Sequence, residues 1–129
     1  MQNMGGKSAL GLDANITTLI GYLIPLVALI LVFIEKDNKF VRFHALQSTV
    51  WVVIMIVLII VLAIVGFIVG MVLGQVSAGL ATIVGLLFLL VYIGWFLAYV
   101  GGLIYGAIKS YGGNMTKLPI VGGLAEKWV

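Results

Sequence analysis

Most of the side chains that could do chemistry lie in one short stretch. Residues 40–48 read FVRFHALQS, and they follow Glu35 and Asp37 across a connection that also carries Lys36 and Lys39. His44 is the only histidine, and cysteine is absent. A lone histidine makes a zinc site only with carboxylate or cysteine ligands beside it, and without cysteine there are no disulfides and no thiolate catalysis. As a general base His44 would need a neighbouring nucleophile or an orienting carboxylate, for which Glu35 and Asp37 qualify if the connection folds back. With so few partners, no catalytic, cofactor or metal residue is assigned, and the chain reads as non-enzymatic. A satisfied interhelical hydrogen bond suits His44 best, with a pH-sensitive contact and a binding contact as alternatives. Arg42 either anchors on lipid headgroups or pairs with Glu35 or Asp37 to close the connection. Gln47 lies deeper, where an unpaired amide is costly, so it is expected to bond across to another helix or to a carbonyl. Ser48 and Thr49 can bond within their own helix.

The elements that must position these groups are apolar runs. Val50–Gly74 and Leu80–Ile108 contain no Asp, Glu, Lys, Arg or His, and a shorter run, Ile16–Ile34, precedes them. About 20 apolar residues span a bilayer core of roughly 30 Å, so each run is long enough to cross. Hydrophobic residues are 64% of the 129, charged residues 9%, which leaves no room for a separate soluble domain. The expected fold is all-α and polytopic: one membrane domain over residues 1–129, with helices at about 15–34, 38–74 and 80–109 and a short interfacial segment at 115–128. Asp13 or Asn15 could cap the first helix, and Asp37 or Asn38 the second. Pro25 removes the donor that the Gly21 carbonyl would receive, so a kink is expected there. The amino-terminal arm, MQNMGGKSALGLD, has no apolar core directly after its lysine, so the first run is expected to be a retained helix and not a signal peptide.

The net charge of +3 resides in short segments beside the runs, which suits anionic headgroups rather than nucleic acid. Lys36, Lys39 and Arg42 lie in the first connection, Lys109, Lys117 and Lys127 in the tail, and the second connection, Gln75–Gly79, has no charge. Three crossings with positive segments inside place the amino terminus outside and the carboxyl terminus in the cytoplasm of a plasma-membrane protein. Among the groups within the runs, no acid or base sits near a centre, which counts against proton-coupled or charged-substrate transport.

Small residues recur every fourth position. Gly66, Gly70 and Gly74 form one ladder, and Gly94, Ala98, Gly102, Gly106 and Ser110 another. Such stripes let backbones approach closely, and close packing is where membrane helices gain association energy. Packing within the chain, a homo-oligomeric seam and the lining of a narrow path are the readings open to them. The tail, KLPIVGGLAEKW, carries Pro119 and the Gly122–Gly123 pair, and its apolar residues suggest a cap over the cytoplasmic helix ends.

Three stretches, GLDANITTLIGYLIP, EKDNKFVRFHALQS and KLPIVGGLAEKW, together resemble a widespread family of small, functionally uncharacterised prokaryotic membrane proteins. That family is regarded as distantly related to the small channel-forming subunit of the chloroplast inner-envelope import machinery, the Tic translocon. The resemblance runs from about Leu10 to Trp128. It rests on Arg42, Phe43, His44, Ala45 and Gln47, on Lys117, Leu118, Pro119 and Gly122, and on the pair Tyr22 and Pro25. It implies a compact helical membrane protein, although the plastid relative is described with four crossings and this chain has three apolar runs. The function expected is that of a subunit or scaffold of a membrane complex, one concerned with protein insertion or translocation. The alternative is an oligomeric channel or carrier for a small solute or ion. Membrane lipids, a second copy or a heterologous membrane protein are the expected partners. Glu35, Arg42, Phe43, His44, Gln47, Lys117 and Pro119 form the candidate functional rim.

Overall fold

A computed structural model describes residues 6–129; residues 1–5 of the amino-terminal arm, part of the segment weighed as a signal peptide, lie outside them. Among the described residues five helices follow one another: α1 (Ala14–Leu23), α2 (Pro25–Ile34), α3 (Lys39–Val76), α4 (Ala78–Tyr111) and α5 (Val121–Trp128). Two compact units result, one of residues up to Val53 with Val100–Val129, the other of Ile54–Tyr99.

The first apolar run is not one helix. Pro25 occupies the first turn of α2, where its missing N–H costs nothing, and Ile24 breaks the helical path with φ −124° and ψ 87°. The kink expected at Pro25 is therefore a reversal. Gly21 lies against Ala28 and Leu31, so α1 and α2 pack face to face as a hairpin. Its two ends meet: the Ala9 N–H donates to Glu35 Oε1 at 2.8 Å, and Asn38 Nδ2 donates to the Lys7 carbonyl at 3.4 Å. Residues 7–9 thus lie beside the first connection, not a helix length away from it. Among the described residues two helices, α3 and α4, are long and apolar enough to cross a membrane, where three were expected. At 10 residues, α1 and α2 each extend about 15 Å, half a bilayer core.

Local chemistry fixes the ends of these elements. Asp13 spends its carboxylate on Lys7 Nζ at 2.6 Å and does not cap α1. Asn38 does cap α3, its Oδ1 accepting from Phe40 N and Val41 N at 3.1 and 3.3 Å. Arg42 Nη1 donates to the carbonyls of Val32 and Glu35 at 3.0 and 3.1 Å. A guanidinium there satisfies carbonyls left over at the C-terminal end of α2 and complements its dipole. Neither expected role of Arg42, headgroup anchor or carboxylate partner, describes these bonds. Past Tyr111 the chain turns through Gly113 at φ 85°, and Asn114 N returns to the Lys109 carbonyl at 3.0 Å. Residues 114–120 then run as a strap without helix to α5.

In the first unit the opening turns of α3 are the core. Phe40, Val41, Phe43, His44, Ala45, Leu46, Gln47 and Ser48 are all buried, because α1, α2, the strap and α5 surround that end of the helix. Ala14, Leu31, Phe40, Val41 and Ala45 form one apolar cluster, and Phe43, Leu46 and Ala125 a second, with Val32 and Met115 touching both. The second unit contains only the facing parts of α3 and α4, whose apolar side chains point mainly outward. Aromatic groups tie the two helices there. Trp95 Nε1 donates to the Met55 carbonyl at 2.9 Å, and Tyr92 Oη to the Leu62 carbonyl at 3.2 Å. The Trp95 and Tyr99 rings stack at 5.6 Å.

Candidate functional site

Tyr22, His44 and Gln47 build a directional hydrogen-bond chain inside the first unit. Tyr22 Oη lies 2.7 Å from His44 Nδ1 and accepts from Gln47 Nε2 at 2.7 Å. His44 Nε2 lies 2.8 Å from the Asn114 carbonyl, which can only accept, so Nε2 carries the proton and Nδ1 accepts from tyrosine. Gln47 Nε2 also donates to the Thr116 carbonyl at 3.0 Å, while its Oε1 accepts from Leu118 N at 2.8 Å. His44 and Gln47 therefore hold the main chain of residues 114, 116 and 118, and Tyr22 ties the two side chains together. Ser48 Oγ completes the arrangement by donating to the Gly21 carbonyl at 3.0 Å. That is the carbonyl freed by Pro25, and Ser48 meets it across helices rather than bonding within α3. Thr49 Oγ1, expected to bond locally, has no partner.

Packing holds the imidazole in place. The rings of Phe40, Phe43 and Tyr22 meet it edge-on, with centroids 4.8, 5.1 and 5.5 Å away. Both ring nitrogens are occupied, and no hydroxyl nucleophile is held by a free nitrogen. The chemistry of this hub is therefore to fasten the strap and the hairpin to α3. Tyr22 is the member that sequence reasoning left out of the site. Its signal was its position as the one tyrosine in the first run, three residues before the proline.

The remaining candidates divide. Glu35 is buried and accepts from Ala9 N and from Asn38 N, at 2.8 and 3.3 Å, so it fastens the hairpin mouth. Phe43 belongs to the cluster beneath α5. Lys117 points outward to Glu126 at 2.9 Å, and exposed Pro119 offers its carbonyl to Val121 N. Neither joins the hub through its side chain. Of the small residues, a Cβ at Gly102 would overlap the Trp51 ring, and one at Gly106 the Tyr22 ring. A Cβ at Gly66 would lie 2.7 Å from Tyr92 Oη. Gly70, Gly74 and Gly94 face open space, and Ala98 is exposed. In the second unit this leaves a groove of about 190 Å³ between α3 and α4, lined by Gly66, Gly70, Ala81, Val84, Gly85, Phe88 and Tyr92. Among the described residues no group of three or more His, Asp or Glu side chains could hold a metal ion.

Two long apolar helices and a polar hub spent on internal ties define a small α-helical membrane protein. The chain belongs to the magnetosome magnetite crystal formation protein family, whose pattern matches residues 7–125. A UPF0132 membrane protein of Methanocaldococcus jannaschii is 36% identical over 129 residues, covering 95% of this chain and 94% of that one. A UPF0132 membrane protein of Archaeoglobus fulgidus is 33% identical over 121 residues, covering 89% and 94%. A second Methanocaldococcus jannaschii relative is 31% identical over 121 residues, covering 93% and 73%. No solved structure is significantly similar. The expected prokaryotic membrane family is thus found, whereas none of the comparisons links the chain to the Tic subunit.

Proposed function

We propose that this chain is a non-enzymatic subunit or scaffold of a membrane complex that associates through the groove between α3 and α4 in the second unit. The observation that carries the reading is the division of labour among its residues. The polar atoms of Tyr22, His44 and Gln47 are consumed in holding the chain to itself. Gly70 and Gly85, by contrast, line an open groove with no neighbour. A groove floored by glycine admits the close backbone approach by which membrane helices associate. The family's name concerns magnetite crystal formation and its curated archaeal relatives are named only as membrane proteins. With no metal-ligating cluster among the described residues, the reading for this chain routes through protein contact and not through iron. A role in protein insertion or translocation is one use of such a subunit. A channel formed by an oligomer would be lined by the face that carries Tyr92 and Tyr99, but the Tyr92 hydroxyl bonds the Leu62 carbonyl and Tyr99 stacks on Trp95.

The topology proposed with this function has two crossings, α3 and α4, and a hairpin α1–α2 that enters and leaves the membrane on one side. Lys36, Lys39, Arg42, Lys109, Lys117 and Lys127 then share the cytoplasmic side with both ends of the chain. On this topology the amino-terminal side lies inside rather than outside, because residues 7–9 lie beside the first connection.

A photo-crosslinking residue at Ala81 in native membranes, with Leu86 as the control, tests the reading. Capture of one stoichiometric heterologous membrane protein at Ala81 and not at Leu86 is expected. Capture of lipid alone at both positions refutes it. Capture of the same chain alone favours a self-contained oligomer, for which solute flux in liposomes decides between channel and carrier.

A further inference from the structure

Ile120 sits at φ 68° and ψ −57°, and across it Val121 N donates to the Pro119 carbonyl at 2.7 Å. That is a γ-turn of the rare, strained hand, built on a β-branched residue that the left-handed region disfavours. The strained residue separates two differently held segments. Before it, residues 114–118 are fastened by His44 and Gln47. After it, α5 is held by the burial of Val121, Gly122 and Ala125 and by an exposed Lys117–Glu126 pair. Ile120 itself is 82% exposed, so the hinge lies on the surface.

We infer that α5 is an exchangeable arm: through the strained turn at Ile120 it opens and docks on the Phe43–Leu46 patch of a second copy of this chain. The occupant is set by fit. The patch holds Ala125 with Val32 and Met115 around it, and the α5 of an identical copy presents the same face to it. Closed in one chain, α5 requires the left-handed turn; exchanged, residue 120 is free to take the extended backbone that isoleucine prefers. Short, strained hinges are where arm exchange is favoured: the arm's burial is kept and the strain is lost, at the cost of the Val121 N–Pro119 and Gly122 N–Leu118 carbonyl bonds that span the hinge. The strap stays behind in its own chain, because its main chain is bonded to buried side chains. The inference concerns α5 in the first unit and stands apart from the groove of the second.

The chain has no cysteine, so single cysteines report cleanly. One tagged copy carries Lys117→Cys and a differently tagged copy carries Glu126→Cys, both at exposed positions. The two are co-expressed and treated in membranes with a short bis-maleimide. A crosslink between the two tags is expected, since each copy alone lacks the second thiol. Ile120→Gly, which accepts the left-handed turn, should lower its yield about fivefold, the change that strain at the low end of its usual range implies. Ile120→Pro, which cannot adopt that φ, should raise it. The double variant Lys117→Cys/Glu126→Cys in one chain confirms that the reagent spans the pair. The inference is overturned if the double variant crosslinks within its chain while the mixed copies give no joint product. It is equally overturned if the joint product is indifferent to both Ile120 substitutions.

Discussion

Replacing Gln47 with methionine keeps the length of the side chain and removes its donor and its acceptor. Three bonds vanish together: those to Tyr22 Oη, to the Thr116 carbonyl and from Leu118 N. Tyr22 retains His44, so the two groups left without a partner belong to the strap. A buried main-chain group without a partner costs roughly 1–3 kcal/mol. The chain can avoid that cost by releasing the strap at Gly113, which exposes both groups to water. The penalty should therefore appear as local opening, not global unfolding. Taking about 2 kcal/mol, the opening equilibrium for residues 114–118 rises by a factor of roughly 30. Hydrogen exchange of the full-length protein in nanodiscs reads this directly. The Leu118 amide should exchange about 30-fold faster, with amides near Leu103 in α4 unchanged. Unchanged exchange at Leu118 would refute the claim that Gln47 fastens the strap.

Other substitutions sort the small residues and the caps. Gly106→Ala pushes a methyl group into the Tyr22 ring and should cost about 1–3 kcal/mol in thermal unfolding. Gly94→Ala meets nothing and should be neutral, or stabilising by at most about 1 kcal/mol, because alanine is the better helix residue. Arg42→Met removes both carbonyl bonds at the end of α2. A loss of about 1–3 kcal/mol in the same assay is expected, with Arg42→Lys recovering part of it.

The long runs were legible because lipid demands continuous apolar helices, and α3 and α4 obey at nearly the expected bounds. The first run misled for a physical reason. Pro25 marks a break, but whether the chain bends slightly or reverses depends on a partner for the Gly21 carbonyl, and that partner, Ser48, lies 27 residues away. The interhelical bonds expected of His44 and Gln47 are present, while their place in a buried hub was not legible. The cap expected of the tail is there, as a strap and an 8-residue helix, but nothing in FVRFHALQS announces which of its side chains the strap bonds. Arg42 was read as a headgroup anchor or a carboxylate partner because charge is visible in a sequence and freed carbonyls are not. The glycine ladders gave contact without register. Gly102 and Gly106 meet rings of the same chain, whereas Gly70 and Gly94 meet nothing.

The central claim is that two helices cross and a hairpin returns, so that both ends of the chain share one side. Single cysteines at Lys7, Ser77 and Lys127, labelled in intact cells with a membrane-impermeant maleimide and again after permeabilisation, test it most directly. The account predicts that Ser77→Cys labels in intact cells, while Lys7→Cys and Lys127→Cys label only after permeabilisation. Labelling of Lys7→Cys together with Ser77→Cys in intact cells would contradict it and restore a third crossing.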